Sequence, residues 1–275
     1  MHPNQGFVGI NWGNVEPFLL INGSQFRPLN TVGDTLSSRR RFLNSTQYAT
    51  DFREVKAIGA KNSFVRTRDQ SEIGIFWAYD GVPKLGPSPR LYNQIVRVIA
   101  MQQRNTVVQN AHLFALANYA MADAGIAAWD CKYYYDLWRP IVGIRQAFDV
   151  YQADPYWVPM GAPASNGGSD FTPGFPGYVS GHAAFGCATF EVLRCFYRTD
   201  NIGFRFQSDE FNGRTIDSNT RQPRKSRTRY YRTLSEAETE NYLSRIYLGV
   251  HFRFDQIHGQ ILGRKVGRYV FNRLD

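Results

Sequence analysis

Cysteine is scarce in this 275-residue chain, which contains only Cys131, Cys187 and Cys195. An odd count with no Cys-x-x-Cys pair supports neither a disulfide framework nor a zinc site, and Cys187 and Cys195 read as small core residues. Apolar runs long enough to span a membrane are also missing. The best candidate, Leu113 to Trp129, is interrupted by Asn118 and Asp123, so no membrane partner is expected. The stretch Met1 to Gly6 has no basic leader and no apolar segment, so no signal peptide is read. A soluble protein of unknown compartment is expected. Alternation of period two persists nowhere, which leaves no strand pattern and points to an all-α chain.

The length suits one large domain or two small ones, and a hydrophobic content of 43% supports a substantial core. Net charge is +9 and uneven. Arg221 to Arg232 holds six basic residues and no acid, and it reads as a solvated loop. Nucleic acid is therefore not expected as a partner, although the loop could focus a positive field on a nearby substrate path. The sequons at Asn22 and Asn44 read as chance.

Residues 1–45 look irregular, with scattered Gly and Asn and with Pro17 and Pro28 interrupting. Helices are predicted over Thr46–Ala60, Thr67–Tyr79, Pro89–Arg104, Val107–Leu137, Ala183–Tyr197 and His251–Leu274, with a short helix or turn over Pro140–Phe148. Ser235 and Glu238 form a capping-box pattern for one more helix, ending near Tyr247. In the last helix Ile257, Ile261, Val266 and Val270 are the predicted core positions. The Pro-, Gly- and Asn-rich stretch Val150–Gly177 is a long loop of the kind that carries function.

Three blocks carry the chemistry. Ser180-Gly-His182 stands at a helix start: Ser180 is a good N-cap, Gly181 leaves its N–H unshielded, and the positive dipole end suits a tetrahedral oxyanion. His182 in the first turn could exchange a proton with such a guest. Upstream, Lys132 and Arg139 are seven positions apart. On a continuous helix they point the same way, about 10 Å apart. Downstream, His251 and Asp255 are four apart, as helix neighbours are, and Gly249 marks a break that lets Arg245 and His251 converge. Taken singly, each block also fits an ordinary structural role: a capped helix, cations snorkelling from a helix edge, or a surface His/Asp pair.

Together, Lys132-x6-Arg139-Pro140, Ser180-Gly181-His182 and Ser244-Arg245-x5-His251-x3-Asp255 resemble the signature shared by vanadium-dependent haloperoxidases and the type 2 phosphatidic acid phosphatase superfamily. Asn11–Phe18, Gly23–Pro28, Phe76–Gly81 and Pro89–Ile95 resemble the chloroperoxidase-like branch in particular. The resemblance implies a single helical bundle over 1–275, with residues 1–45 wrapped round it. It implies vanadate as cofactor, with phosphate able to take its place where vanadium is absent. His251 bonds vanadium in this reading, supported by Asp255. Lys132, Arg139, Ser180, Gly181 and Arg245 hold the oxygens, and His182 relays protons. Asp80 matches an aspartate that pairs with Arg245. Trp129 and Phe175 match aromatic positions near the halide approach, and Phe175 leans towards the chloroperoxidase type.

The implied reaction is oxidation of halide by hydrogen peroxide to a hypohalous-acid equivalent, with small organic acceptors. A homodimer is expected, because the larger chloroperoxidases pair two bundles and one is visible here. Val179 stands where the motif usually has proline, which loosens the turn before Ser180 and removes no ligand. The alternative is a soluble acid phosphatase using a phosphohistidine, since vanadate and phosphate are near isosteres. The span of 61 residues between His182 and Ser244 favours the haloperoxidase. A silent anion-binding protein is a third class.

Overall fold

The computed structural model describes residues 7–29, 31–80, 85–147, 152–163, 171–217 and 219–274. Residues 81–84, the end of the expected Pro140–Phe148 segment and parts of the Val150–Gly177 loop lie outside the described residues, as do Met1 to Gly6.

Hydroxyl side chains start most of the helices, by accepting a first-turn N–H that the helix itself cannot satisfy. Thr35 caps α1 (Leu36–Leu43), Ser45 caps α2 (Thr46–Ile58) and Thr67 caps α3 (Arg68–Phe76). The helix α4 (Ser88–Gln102) instead opens on a proline at its N-terminus. Thr106 and Gln109 form a capping box on α5 (Val107–Tyr135), which ends at Asp136 in the left-handed region. The short α6 (Pro140–Arg145) follows, then α7 (Gly181–Tyr197) capped by Ser180. Thr233, not Ser235, caps α8 (Leu234–Tyr247). Glu238 reaches no cap, because it is buried in ion pairs with Arg194 and Arg264. The last helix is α9 (Arg253–Leu274).

The fold is largely helical, with one correction. A two-stranded antiparallel sheet joins β1 (Phe204–Gln207) to β2 (Thr228–Tyr231), with Phe204 opposite Tyr231. Four residues per strand are too few for an alternation to stand out in sequence. The strand β2 also lies inside the basic run expected to be a solvated loop. Acids from other elements neutralise much of that run: Arg224 pairs with Glu210 and Asp217, Arg229 with Asp69 and Glu240, and Arg232 with Glu236. None of the described helices is long and apolar enough to cross a membrane.

The N-terminal stretch contains a 3-10 turn at Trp12–Asn14 as well as α1, and it leans on α5. The buried Asp123 carboxylate accepts the backbone N–H groups of Phe18, Leu19 and Leu20. In sequence Asp123 only broke an apolar run; in the fold it anchors a distant segment. Arg27 makes a two-bond pair with Asp130 further along α5.

The helices that position the site are α5, α7, α8 and α9. On α9 a glycine recurs every fourth residue, and each faces the backbone of α7. A Cβ at Gly259 would stand 2.7 Å from the Ser180 carbonyl oxygen, one at Gly263 2.3 Å from that of Ala184, and one at Gly267 2.5 Å from that of Ala188. This stripe selects the buried face of α9. Val266 and Val270 are in the core as expected, together with Leu262. Ile257 and Ile261 are not: they sit on the opposite side of the helix and are 37% and 43% exposed.

Gly263→Ala is expected to push α9 off α7 and cost about 1–3 kcal/mol of stability. Urea unfolding measures it as a lower midpoint with an unchanged slope. An unaltered midpoint would show that the helices are not locked at this distance.

Candidate active site

Breaks in helices bring the site together. The helix α5 stops at Tyr135, and the chain runs non-helically to Arg139, which is the N-cap residue of α6. The expected two-turn helical spacing of Lys132 and Arg139 therefore does not exist. The left-handed turn at Asp136 reorients Arg139 instead. Likewise His251 precedes α9 and lies in the link after α8, so His251 and Asp255 are not partners on one helix face. Gly249 makes that link possible. It has a φ of +73°, and its Cα packs against Gly59 so closely that neither residue has room for a Cβ.

Around these breaks Arg139, Arg245, His251 and Asp255 are almost wholly buried, and His182 nearly so. Arg139 donates from Nε to the Phe175 carbonyl at 2.9 Å and from Nη1 to that of Val250 at 2.8 Å. The same Nη1 lies 2.8 Å from His251 Nε2. A guanidinium has no acceptor, so Nε2 must carry the lone pair and Nδ1 the proton. That proton points to Asp255 Oδ2, 3.0 Å away, which also accepts the Phe252 N–H. Asp255 thus fixes the ring tautomer and leaves Nε2 basic.

Arg245 is clamped by Asp80 through two parallel bonds of 2.7 and 2.9 Å. Its Nε is buried and unpartnered, as is Nη2 of Arg139. His182 Nε2 approaches the Ala78 carbonyl at 2.6 Å, so Nε2 holds the proton and Nδ1 is the acceptor. Ala78 and Asp80 are two residues apart, so one short segment orients both His182 and Arg245.

Lys132 is fully buried, and its ammonium bonds the carbonyls of Pro176, Gly177 and Val179 at 3.0, 3.1 and 2.5 Å. Three N–H donors meet three acceptors. With the bond from Ser180 N to the Asp255 carbonyl, this ties down the turn before Ser180 although Val179 replaces a proline. Ser180 Oγ accepts from Ala183 N as the helix cap.

A cavity of about 630 Å³ opens beside these groups. Among the residues singled out in sequence, Asp80, Trp129, Arg139, Phe175, Gly181, His182, Arg245 and His251 line it. Lys132, Ser180 and Asp255 stand behind its wall. Sequence reasoning missed Ala78, whose contribution is a backbone carbonyl and leaves no side-chain signal.

The electrostatics ask for an anion. Three buried cations, Lys132, Arg139 and Arg245, face two carboxylates, Asp80 and Asp255, which leaves one positive charge in excess. Burial pulls Lys132 well down and Arg139 down to about 9. Burial and the arginines push His251 well down, so its ring is neutral. Burial, reinforced by Arg245, lowers His182 to about 4. Asp255 is pushed up by burial, to about 7, against the pull of Arg139 and Lys132. The unpartnered guanidinium nitrogens, the neutral Nε2 and the excess charge fit an oxyanion with one imidazole ligand.

These features define a helical bundle with a buried oxyanion cradle. Comparison with known proteins gives the family. Residues 112–275 match the family model of the VCPO second helical-bundle domain. The vanadium chloroperoxidase of Curvularia inaequalis is 38% identical over 262 residues, covering 82% of this chain and 43% of that protein. The first bacterial vanadium-dependent iodoperoxidase superposes with a TM-score of 0.75 at 27% identity, over 98% of this chain and 58% of the other. A bacterial vanadium-dependent chloroperoxidase superposes at 0.66 with 18% identity, over 98% of this chain and 55% of the other, a likeness of fold. The chain belongs to the vanadium chloroperoxidase family, and it spans about half the length of the relatives it matches.

His182 predicts a pH dependence. Its folded value, about 4, lies below the ordinary 6.5, so between the two the unfolded chain binds the proton and the folded one does not. Stability from this group is present above 6.5 and is lost as pH falls towards 4. In vanadate-free protein, His182→Gln should flatten that acid-side loss, read by urea unfolding at about pH 7 and about pH 4.5. Parallel pH profiles for both proteins would contradict the assignment.

Proposed function

We propose that this chain is a vanadate-dependent peroxidase that oxidises halide with hydrogen peroxide to a hypohalous-acid equivalent. The observation that carries the reading is the pair of buried, unpartnered donors, Arg139 Nη2 and Arg245 Nε, beside the basic Nε2 of a neutral His251. Family membership and the vanadium haloperoxidase relatives support it.

When bound, vanadate supplies a Lewis-acid centre that activates peroxide towards halide. The protein supplies the rest. His251 would offer its Nε2 lone pair to that centre, and Arg139 Nη1, which now meets the lone pair, would be free to donate to an oxygen of the bound oxyanion. Arg139, Arg245 and the Gly181 N–H would hold its oxygens, and Ser180 caps the helix end at which that N–H lies. Lys132 adds positive charge from behind the turn. Asp80 keeps Arg245 in place, and Asp255 keeps Nε2 unprotonated. His182, with Nδ1 as the acceptor nitrogen, takes and returns the proton of incoming peroxide. Trp129 and Phe175, with ring centres 4.9 Å apart, form the apolar side on which halide approaches.

Arg139→Ala is expected to weaken vanadate binding by about 2–5 kcal/mol, measured by equilibrium dialysis, because it leaves an anion short of its charge-assisted bonds. His251→Ala should abolish vanadate-dependent bromination of a phenol dye. Steady hydrolysis of p-nitrophenyl phosphate without halogenation would favour the phosphatase reading instead.

The chain is read as one unit over 1–275, with residues 1–45 wrapping the bundle and a second copy taking the place of a second bundle. The exposed Phe18, Ile21 and Leu29 support such a contact. Light scattering at micromolar concentration should give twice the chain mass; a monomer mass would remove the homodimer.

A further inference from the structure

One short segment serves two halves of the site. The Ala78 carbonyl meets His182, and the Asp80 carboxylate clamps Arg245. Between them stands Tyr79, at a φ of +42°. A bulky side chain rarely takes this left-handed conformation, and the conformation persists only where the surroundings hold it.

The hold is a closed ring of three hydrogen bonds. The Tyr79 hydroxyl donates to Gln94 Oε1 at 2.8 Å. Gln94 Nε2 donates to Asp209 Oδ2 at 2.9 Å, and the Asp209 backbone N–H returns to the Tyr79 oxygen at 2.8 Å. Each member gives one hydrogen and accepts one, so the ring has a single direction. Burial pushes the Tyr79 phenol up, so it keeps the proton it donates. One residue before Asp209, Ser208 Oγ donates to the Phe76 carbonyl at 2.7 Å, at the start of the same segment. Gln94 and Asp209 stand outside the described lining of the cavity, so the hydroxyl bonds support rather than guest. Ser208 and Asp209 lie between α7 and α8, inside the 61-residue span from His182 to Ser244. That span therefore reaches back to the site through Tyr79.

We propose that Tyr79 is a positioning residue: its hydroxyl fixes where segment 78–80 stands, and so couples the placement of His182 and of Arg245 to the turn at Ser208 and Asp209. The haloperoxidase reading supplies the expected guest, vanadate, but the coupling holds for any tetrahedral oxyanion. Releasing the hydroxyl frees both anchors together. His182 loses the fixed acceptor that sets its tautomer, and Arg245 loses the fixed carboxylate that aims its Nε.

The test is Tyr79→Phe in the whole chain, which keeps the buried ring and removes one oxygen. Equilibrium dialysis of orthovanadate, with inorganic phosphate as a parallel probe, should show affinity about tenfold weaker than in wild type. In an Asp80→Ala background the same change should cost less than about twofold, because Arg245 has already lost its clamp. In anion-free protein, the ring nitrogens of His182 read by NMR should report the Nε2–H tautomer in wild type and a mixture in the variant. Ser208→Ala, which frees the Phe76 carbonyl, should move both readouts in the same direction, and it decides the matter where Tyr79→Phe does not fold. A lower urea midpoint with wild-type affinity and tautomer would make the ring purely structural and overturn the proposal. A change in only one of the two readouts, or an equal loss in the Asp80→Ala background, overturns the coupling. Both readouts moving as expected, with no bromination by vanadate-loaded wild type, keeps the positioning role and overturns the peroxidase reading. A wild type that binds neither anion overturns both.

Discussion

Arg139 is the constraint on which the rest of the site depends. One buried guanidinium donates to the carbonyl of Phe175, which precedes α7, and to that of Val250 and the ring of His251, which precede α9. It thereby joins three segments distant in sequence, each next to a helix terminus. Burying such a charge is costly unless its donors are met. The fold meets two of its nitrogens and leaves the third, Nη2, facing no partner. A second arginine repeats the pattern, with Arg245 held by Asp80 at its two terminal nitrogens and open at Nε. An unmet buried donor favours any ligand that brings oxygen and negative charge.

Much of this was readable from the residues, and the failures have a common cause. The three blocks named Lys132, Arg139, Ser180, His182, Arg245 and His251, because cations and imidazoles stand out against an apolar background. Their geometry was not readable. Helical spacing was used to place Lys132 against Arg139 and His251 against Asp255, yet both pairs straddle a helix end. Functional groups converge here because helices stop, and a stop such as the left-handed Asp136 carries no glycine to announce it. Gly249 did announce its break, and there the reading held. The core of α9 was misjudged for a related reason. Periodicity counted Ile257 and Ile261 as apolar, but backbone approach to α7 at Gly259, Gly263 and Gly267 decides which face is buried.

Lys132 illustrates a division of labour that a motif cannot express. As a cation in the first block it reads as a ligand holder, and its charge does reach the cradle. Its hydrogens, however, go to Pro176, Gly177 and Val179, the backbone that leads into Ser180. The same residue supplies field and rigidity. That accounts for a turn held firmly without the usual proline, since three carbonyls converging on one ammonium restrict the chain as a ring would. Asp123 acts the same way on the other side of α5, where one carboxylate collects three N–H groups of the N-terminal stretch. Lys132 and Asp123 spend their buried charge on backbone, while Arg139 and Arg245 each keep one donor unpartnered.

The bond between Arg139 and His251 carries one further consequence. Nη1 meets the Nε2 lone pair that a metal ligand must offer. Binding of an oxyanion would exchange that lone pair for a charged oxygen at Nη1 and bring acceptors to Arg139 Nη2 and Arg245 Nε, which have none. The exchange favours an anion over water because Nη1 would gain a charged acceptor in place of a neutral nitrogen, a stronger bond. It also disfavours a bare cation, which would compete with the guanidinium for the same lone pair while adding to the positive excess. Selection for an oxyanion thus follows from the pairing of two side chains and the charge around them. It needs no contact to the guest's distinctive chemistry, so charge and pairing alone do not separate one tetrahedral oxyanion from another. What the guest then does is left to its own bonding and to the apolar space beside it.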